Sequence, residues 1–181
     1  MCDGTYPTFC KSAPRYFNIT QVLTAAGQSE LLKDMNTYWL PNRGSPEVFW
    51  EHEWNKHGTC VNTLSPSCYG DEYKPGDELV DFMAKAMEIF KTLDTYKALE
   101  AAGILPSTSK TYTSVEIQTA LTAITGSEVV LGCRRGQLNQ AWYSYNVKGS
   151  LQTGDFVPTS PAGKGGRGTC PSRGIKYLPK S

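Results

Sequence analysis

The sequence predicts an α+β fold, and three observations lead to it. Five segments between Ser29 and Gly126 carry helical periodicity or helix-boundary residues. Strand-like patterning is concentrated after Glu128. The chain has 181 residues, of which 39% are hydrophobic, the size and apolar content of one domain with a real core.

Residues 1–16, with Gly4, Pro7 and Pro14, read as a loop. Ser29-Glu30 opens a helix with Leu31, Leu32, Met35, Tyr38 and Trp39 on one face, closed by Pro41. Ser45-Pro46-Glu47 is a cap, a proline at the first helical position and an acid; its helix runs to about His57, with Gly58 just past the end. A turn-rich loop covers 61–76. The next helix starts near Asp77 and places Leu79, Val80, Met83, Met87, Phe90 and Leu93 on its apolar face. Asp94 caps a continuation that ends at Gly103. Thr113-Ser114-Val115-Glu116 fits a capping box whose helix ends near Gly126. Strands follow at Glu128 to Cys133, Gln140 to Lys148 and Ile175 to Leu178, with a Gly/Pro-rich loop at 160–169.

The formal net charge of +1 excludes a global field that draws the chain to nucleic acid or anionic membrane, so any such contact must come from a local site. No run is long enough to cross a membrane. Six cysteines without a CxxC pair point to disulfides in an oxidising compartment rather than to zinc. The sequon Asn18-Ile19-Thr20 marks Asn18 as a glycosylation acceptor and agrees with secretion. The chain opens Met1-Cys2-Asp3-Gly4, without the basic and apolar leader of a signal peptide. The expectation is that residues preceding Cys2 have been lost.

Both histidines of the chain lie in Phe49-Trp50-Glu51-His52-Glu53-Trp54-Asn55-Lys56-His57-Gly58-Thr59-Cys60. On a helix, His52 and Lys56 are i, i+4 neighbours, as are Glu53 and His57, and all four fall within an arc of about 140°. A solvated polar face is the bland alternative, but Phe49, Trp50 and Trp54 make the helix too apolar for that. H-E-x-x-x-H is one residue too long for the zinc-protease spacing, so no metal is expected. The set suits metal-free phosphoryl transfer. Cleaving RNA through its own 2′-hydroxyl needs a base for that proton and an acid for the leaving 5′-oxygen. Imidazole suits both roles, and an ammonium stabilises the added phosphorane charge.

The segment Trp50 to Cys60 resembles the second active-site segment of the T2 ribonucleases. Cys2-Asp3-Gly4-Thr5-Tyr6-Pro7 resembles the segment after that family's first motif, H-G-L-W-P. Leu93-Asp94-Thr95-Tyr96-Lys97-Ala98-Leu99 and Gly174-Ile175-Lys176-Tyr177-Leu178-Pro179 resemble the fungal members. The resemblance implies a single domain over 1–181, incomplete at its N-terminus, with an antiparallel central sheet flanked by helices. It implies an endoribonuclease of low base specificity that acts as a monomer on single-stranded RNA through a 2′,3′-cyclic phosphate. No cofactor, metal or membrane is involved, and the protein is secreted or vacuolar. His57 is one of the acid/base pair, His52 binds phosphate, Glu53 and Lys56 stabilise the transition state, and Tyr6 and Phe49 stack on a base. It also implies disulfides Cys10–Cys60 and Cys133–Cys170, leaving Cys2 and Cys68 unpaired. No H-G-L-W-P occurs in these 181 residues. A catalytically dead protein that binds RNA or a protein is therefore the alternative, with a structural or carbohydrate-binding module behind it.

Overall fold

The computed structural model describes residues 6–161 and 168–179. The chain forms two compact units, one of Tyr6–Thr92 with Gly149–Gly154 and one of the remaining residues. Cys2 and the glycine-rich stretch 163–167 lie outside the described residues.

The first unit holds helices α1 (Ile19–Ala25), α2 (Ser29–Tyr38), α3 (Pro46–Lys56) and α4 (Asp77–Lys91), with four 3-10 turns between Gly58 and Glu72. Helix α1 is not among the expected elements. It is seven residues long and buries only Ile19 and Leu23, too few for a visible period. Its start is satisfied from another helix: the Glu47 carboxylate accepts the Thr20 N–H at 3.1 Å. The Ser45 side chain, read as the cap of α3, makes no capping hydrogen bond.

Trp50 and Trp54 are 2% and 0% exposed and sit at the centre of this unit's core with Leu23, Met35, Leu79 and Met83. Each buried indole contributes on the order of 4–6 kcal/mol as an upper figure from area. Their N–H groups are also satisfied, Trp50 donating to the Trp39 carbonyl at 2.8 Å and Trp54 to that of Pro14 at 3.0 Å. On α4, Leu79, Met83 and Met87 are buried as expected, but Phe90 is exposed and pairs with Tyr38 at a ring separation of 5.9 Å. The apolar stripe of α4 outlasts the core it packs on.

The second unit holds α5 (Thr95–Ala101), α6 (Ser114–Thr125) and strands β1 (Thr111–Tyr112), β2 (Val130–Arg134), β3 (Gln137–Trp142), β4 (Ser144–Lys148), β5 (Asp155–Thr159) and β6 (Ile175–Lys176). Asp94 caps α5 by accepting the Lys97 N–H at 3.0 Å, and α6 has its full Thr113/Glu116 capping box and a left-handed Gly126 at φ 73°. A four-stranded sheet runs β1-β6-β3-β2, antiparallel except for the parallel β6/β3 pairing. Leu99, Ile117 and Leu121 from the helices pack with Val129, Leu131 and Ile175.

Two strand expectations need correction. The stretch Gln140 to Lys148 is not one strand. It divides at Tyr143, after which β4 leaves its predecessor's sheet and pairs with β5. At the break, the Tyr143 hydroxyl is hydrogen-bonded to that of Thr95 at 2.8 Å. Alternation continues through such a break, because period two does not record which strand is the partner. The final strand is also shorter than expected, with Ile175–Lys176 alone in the ladder.

Candidate active site

The site is built on the last two turns of α3 and on the loop of residues 6–16 beside it. Asn55 is buried, and its side chain grips both backbone groups of one loop residue. Its Oδ1 accepts the Tyr16 N–H at 3.0 Å and its Nδ2 donates to the Tyr16 carbonyl at 2.6 Å. The Phe9 N–H donates to the Lys56 carbonyl at 3.0 Å, and the Ser12 hydroxyl to that of Thr59. Cys10 is bonded to Cys60. A second anchor lies behind the loop, where the Tyr16 hydroxyl donates at 2.8 Å to Glu78, a fully buried carboxylate on α4. Burial and the Glu78 charge push the Tyr16 phenol up, so it stays a donor.

The end of α3 is shaped by space rather than by handedness. Gly58 opens the first 3-10 turn, and a Cβ there would lie 2.4 Å from Cε3 of Trp54. The glycine past the helix is required by the buried indole.

On this frame the four helix residues converge. His52, Glu53 and His57 each place one donor atom within 4.8 Å of the others. The two imidazole centroids are 6.2 Å apart, and the Tyr6 ring lies 5.5 Å from His57. His52 is exposed; Glu53, Lys56 and His57 are half-buried. Burial lowers the His57 pKa, the Glu53 carboxylate opposes that shift, and the Lys56 ammonium and His52 add to it. An imidazole so placed is neutral at a lower pH than a free one and can take a proton there.

The three donor atoms could in principle hold a metal ion. Ligand atoms around one zinc ion sit about 3.4 Å apart, a spacing that the 4.8 Å limit admits, but the Lys56 ammonium, whose charge lowers the His57 pKa, opposes a cation there. The chemistry of the set therefore favours an anion.

The family model described as the ribonuclease T2 family matches residues 2–157. The chain belongs to the ribonuclease T2 family. Ribonuclease T2 of Aspergillus oryzae is 50% identical over 184 residues, covering 99% of this chain and 64% of that protein. Ribonuclease Trv of Hypocrea rufa is 50% identical over 179 residues, covering 99% of this chain and 75% of that one. The chain thus spans about two thirds to three quarters of these T2 relatives. The crystal structure of Actibind, a T2 ribonuclease, superposes with a TM-score of 0.91 at 46% identity, covering 99% of this chain and 75% of that one.

Of the residues singled out from the T2 pattern, the structure brings Tyr6, His52, Glu53, Lys56 and His57 together. Phe49 stands one turn before Glu53 on α3, but its half-buried ring meets Trp39 edge-on, at 6.4 Å. The two bridges join Cys10 to Cys60 and Cys133 to Cys170, and Cys68 is free and exposed among the described residues. Asn18 is exposed at the start of α1, its amide donating to Gln21 at 2.8 Å. Sequence reasoning missed Asn55, Tyr16 and Glu78. A polar residue flanked by Trp54 and Lys56 on an apolar helix is a visible signal, but its partner lies 39 positions away and nothing local names it.

Proposed function

We propose that the protein is an endoribonuclease of low base specificity. It cleaves single-stranded RNA by attack of a ribose 2′-hydroxyl on the adjacent phosphorus, giving a 2′,3′-cyclic phosphate that water then opens more slowly. The observation that carries this reading is the convergence of His52, Glu53 and His57 within 4.8 Å, with Lys56 on the same helix face. His57, as one member of the acid/base pair, exchanges a proton with the 2′-oxygen or the leaving 5′-oxygen. His52 binds the phosphate, and Lys56 and Glu53 stabilise the phosphorane, Lys56 by charge and Glu53 by sharing a proton with its oxygens or holding His57. Tyr6, 63% exposed, offers a ring for a base to stack on, and stacking tolerates any base; Phe49 is the second platform. DNA has no 2′-hydroxyl and is not a substrate.

The second member of the pair comes from a segment resembling H-G-L-W-P, which these 181 residues do not contain. The 181 residues alone therefore cleave RNA slowly or not at all, since one positioned acid or base is worth about 10²–10⁴ in rate. The test is cleavage of single-stranded RNA at about pH 5–6, the lower edge of imidazole titration. It compares this chain, the same chain preceded by such a segment, and His57→Ala in both. Restored activity that His57→Ala abolishes supports the reading. If neither form cleaves, the protein is a binder on the T2 fold. The protein acts outside the cell or in the vacuole, as a monomer, with a glycan on Asn18. A glycosidase-sensitive mass difference in the protein from its source tests the last point.

A further inference from the structure

Phe9 takes no part in the chemistry above, yet several contacts converge on it. Its φ is 52°, a left-handed conformation that a bulky side chain rarely adopts. Three neighbours hold it there. Its N–H is tied to the Lys56 carbonyl at 3.0 Å, the next residue is bonded to Cys60, and Arg15 donates to the Phe9 carbonyl at 3.3 Å. The Arg15 guanidinium also lies over the ring, 5.7 Å from its centroid. The ring is 47% exposed, so burial is not what this conformation secures.

What it secures is a contact with His52. The two rings meet at 84° with centroids 6.4 Å apart. Among the described residues no hydrogen bond reaches the exposed His52 imidazole; Phe9 and His57 are its ring neighbours. Left to itself, an exposed imidazole samples several rotamers, and each costs entropy to fix when an anion binds. We propose that Phe9 is a positioning residue that holds the His52 ring in the orientation that receives phosphate. The proposal rests on the reading of His52 as the phosphate-binding histidine.

The chain has two histidines, so imidazole-labelled protein gives two sets of ring signals, assigned with His57→Gln. Phe9→Leu removes the aromatic ring but keeps an apolar side chain on the same backbone; Phe9→Tyr keeps the ring. Inorganic phosphate is titrated at fixed pH into all three proteins and followed at the His52 signals. Phe9→Leu is expected to shift those signals and to weaken phosphate about fivefold, as the ordering cost returns. Phe9→Tyr is expected to match the parent in both, which a merely structural defect would not do. Unmoved His52 signals in Phe9→Leu overturn the proposal, as does a shift with unchanged phosphate affinity. If the parent chain itself shows no phosphate binding at His52, the reading of the site fails first and takes the proposal with it.

Discussion

Trp54 and Gly58 are four residues apart, and the indole occupies the space that a side chain on Gly58 would need. A Cβ there would come to 2.4 Å and 2.8 Å from two atoms of a ring that is 0% exposed. Gly58→Ala gains about 0.4–1 kcal/mol by restricting the unfolded chain. Overpacking against an immovable ring costs about 1–3 kcal/mol, so the clash wins. We expect a net loss of stability in urea denaturation. Since His57 stands between the two residues, a displaced His57 resonance should accompany it. A variant as stable as its parent would show that the indole can move.

The Cys10–Cys60 bridge closes a sequence separation of 50 residues. In the chain-entropy model such a loop contributes about 4 kcal/mol. Replacing both cysteines by serine should lower the denaturation midpoint accordingly and loosen the loop that carries Tyr6 and Phe9. Peptide mapping of the parent should recover Cys10–Cys60 and Cys133–Cys170 as linked pairs. Recovery of either cysteine in another pairing would refute the arrangement.

The His57 titration should move in opposite directions when its two charged neighbours are removed. Glu53 raises the His57 pKa and Lys56 lowers it. Glu53→Gln should therefore lower the His57 midpoint and Lys56→Met should raise it, both read from its ring resonances. The stability sign follows from the same shift. Because the folded His57 binds its proton more weakly than an unfolded one near 6.5, the unfolded chain takes up the extra proton as pH falls through 6.5 toward the folded value. This contribution is fully present above that window and declines below it. A denaturation midpoint that rises as pH falls through the window in the parent, but not in His57→Gln, would contradict the assignment.

Chelation is expected to leave RNA cleavage unchanged, because the Lys56 ammonium, whose charge acts on His57, opposes a cation held between His52, Glu53 and His57. The check is the cleavage rate of the segment-extended chain before and after dialysis against EDTA. A loss of rate that zinc restores would replace the acid/base reading with a metal one.

The elements whose signals are local were legible in the chain before any fold was known. Thr113 and Glu116 wrote a capping box, Asp94 a cap, and Trp50, Trp54 and the His52-to-His57 spacing a helix with one apolar and one reactive face. The family was legible too, because a motif of that length is specific however the chain folds around it. What depends on partners distant in sequence was settled by folding. Helix α1 is too short to announce itself and is capped by Glu47, 27 positions away from Thr20. The chain changes sheets at Tyr143 while its alternation runs on unbroken. Phe9 reads as an ordinary loop residue until the Lys56 carbonyl, the Cys60 bridge and Arg15 turn its ring onto His52. Caps and periodicity arise from neighbours within a turn or two of chain, which a sequence records directly. The orientation of an exposed imidazole arises from groups that meet only after folding.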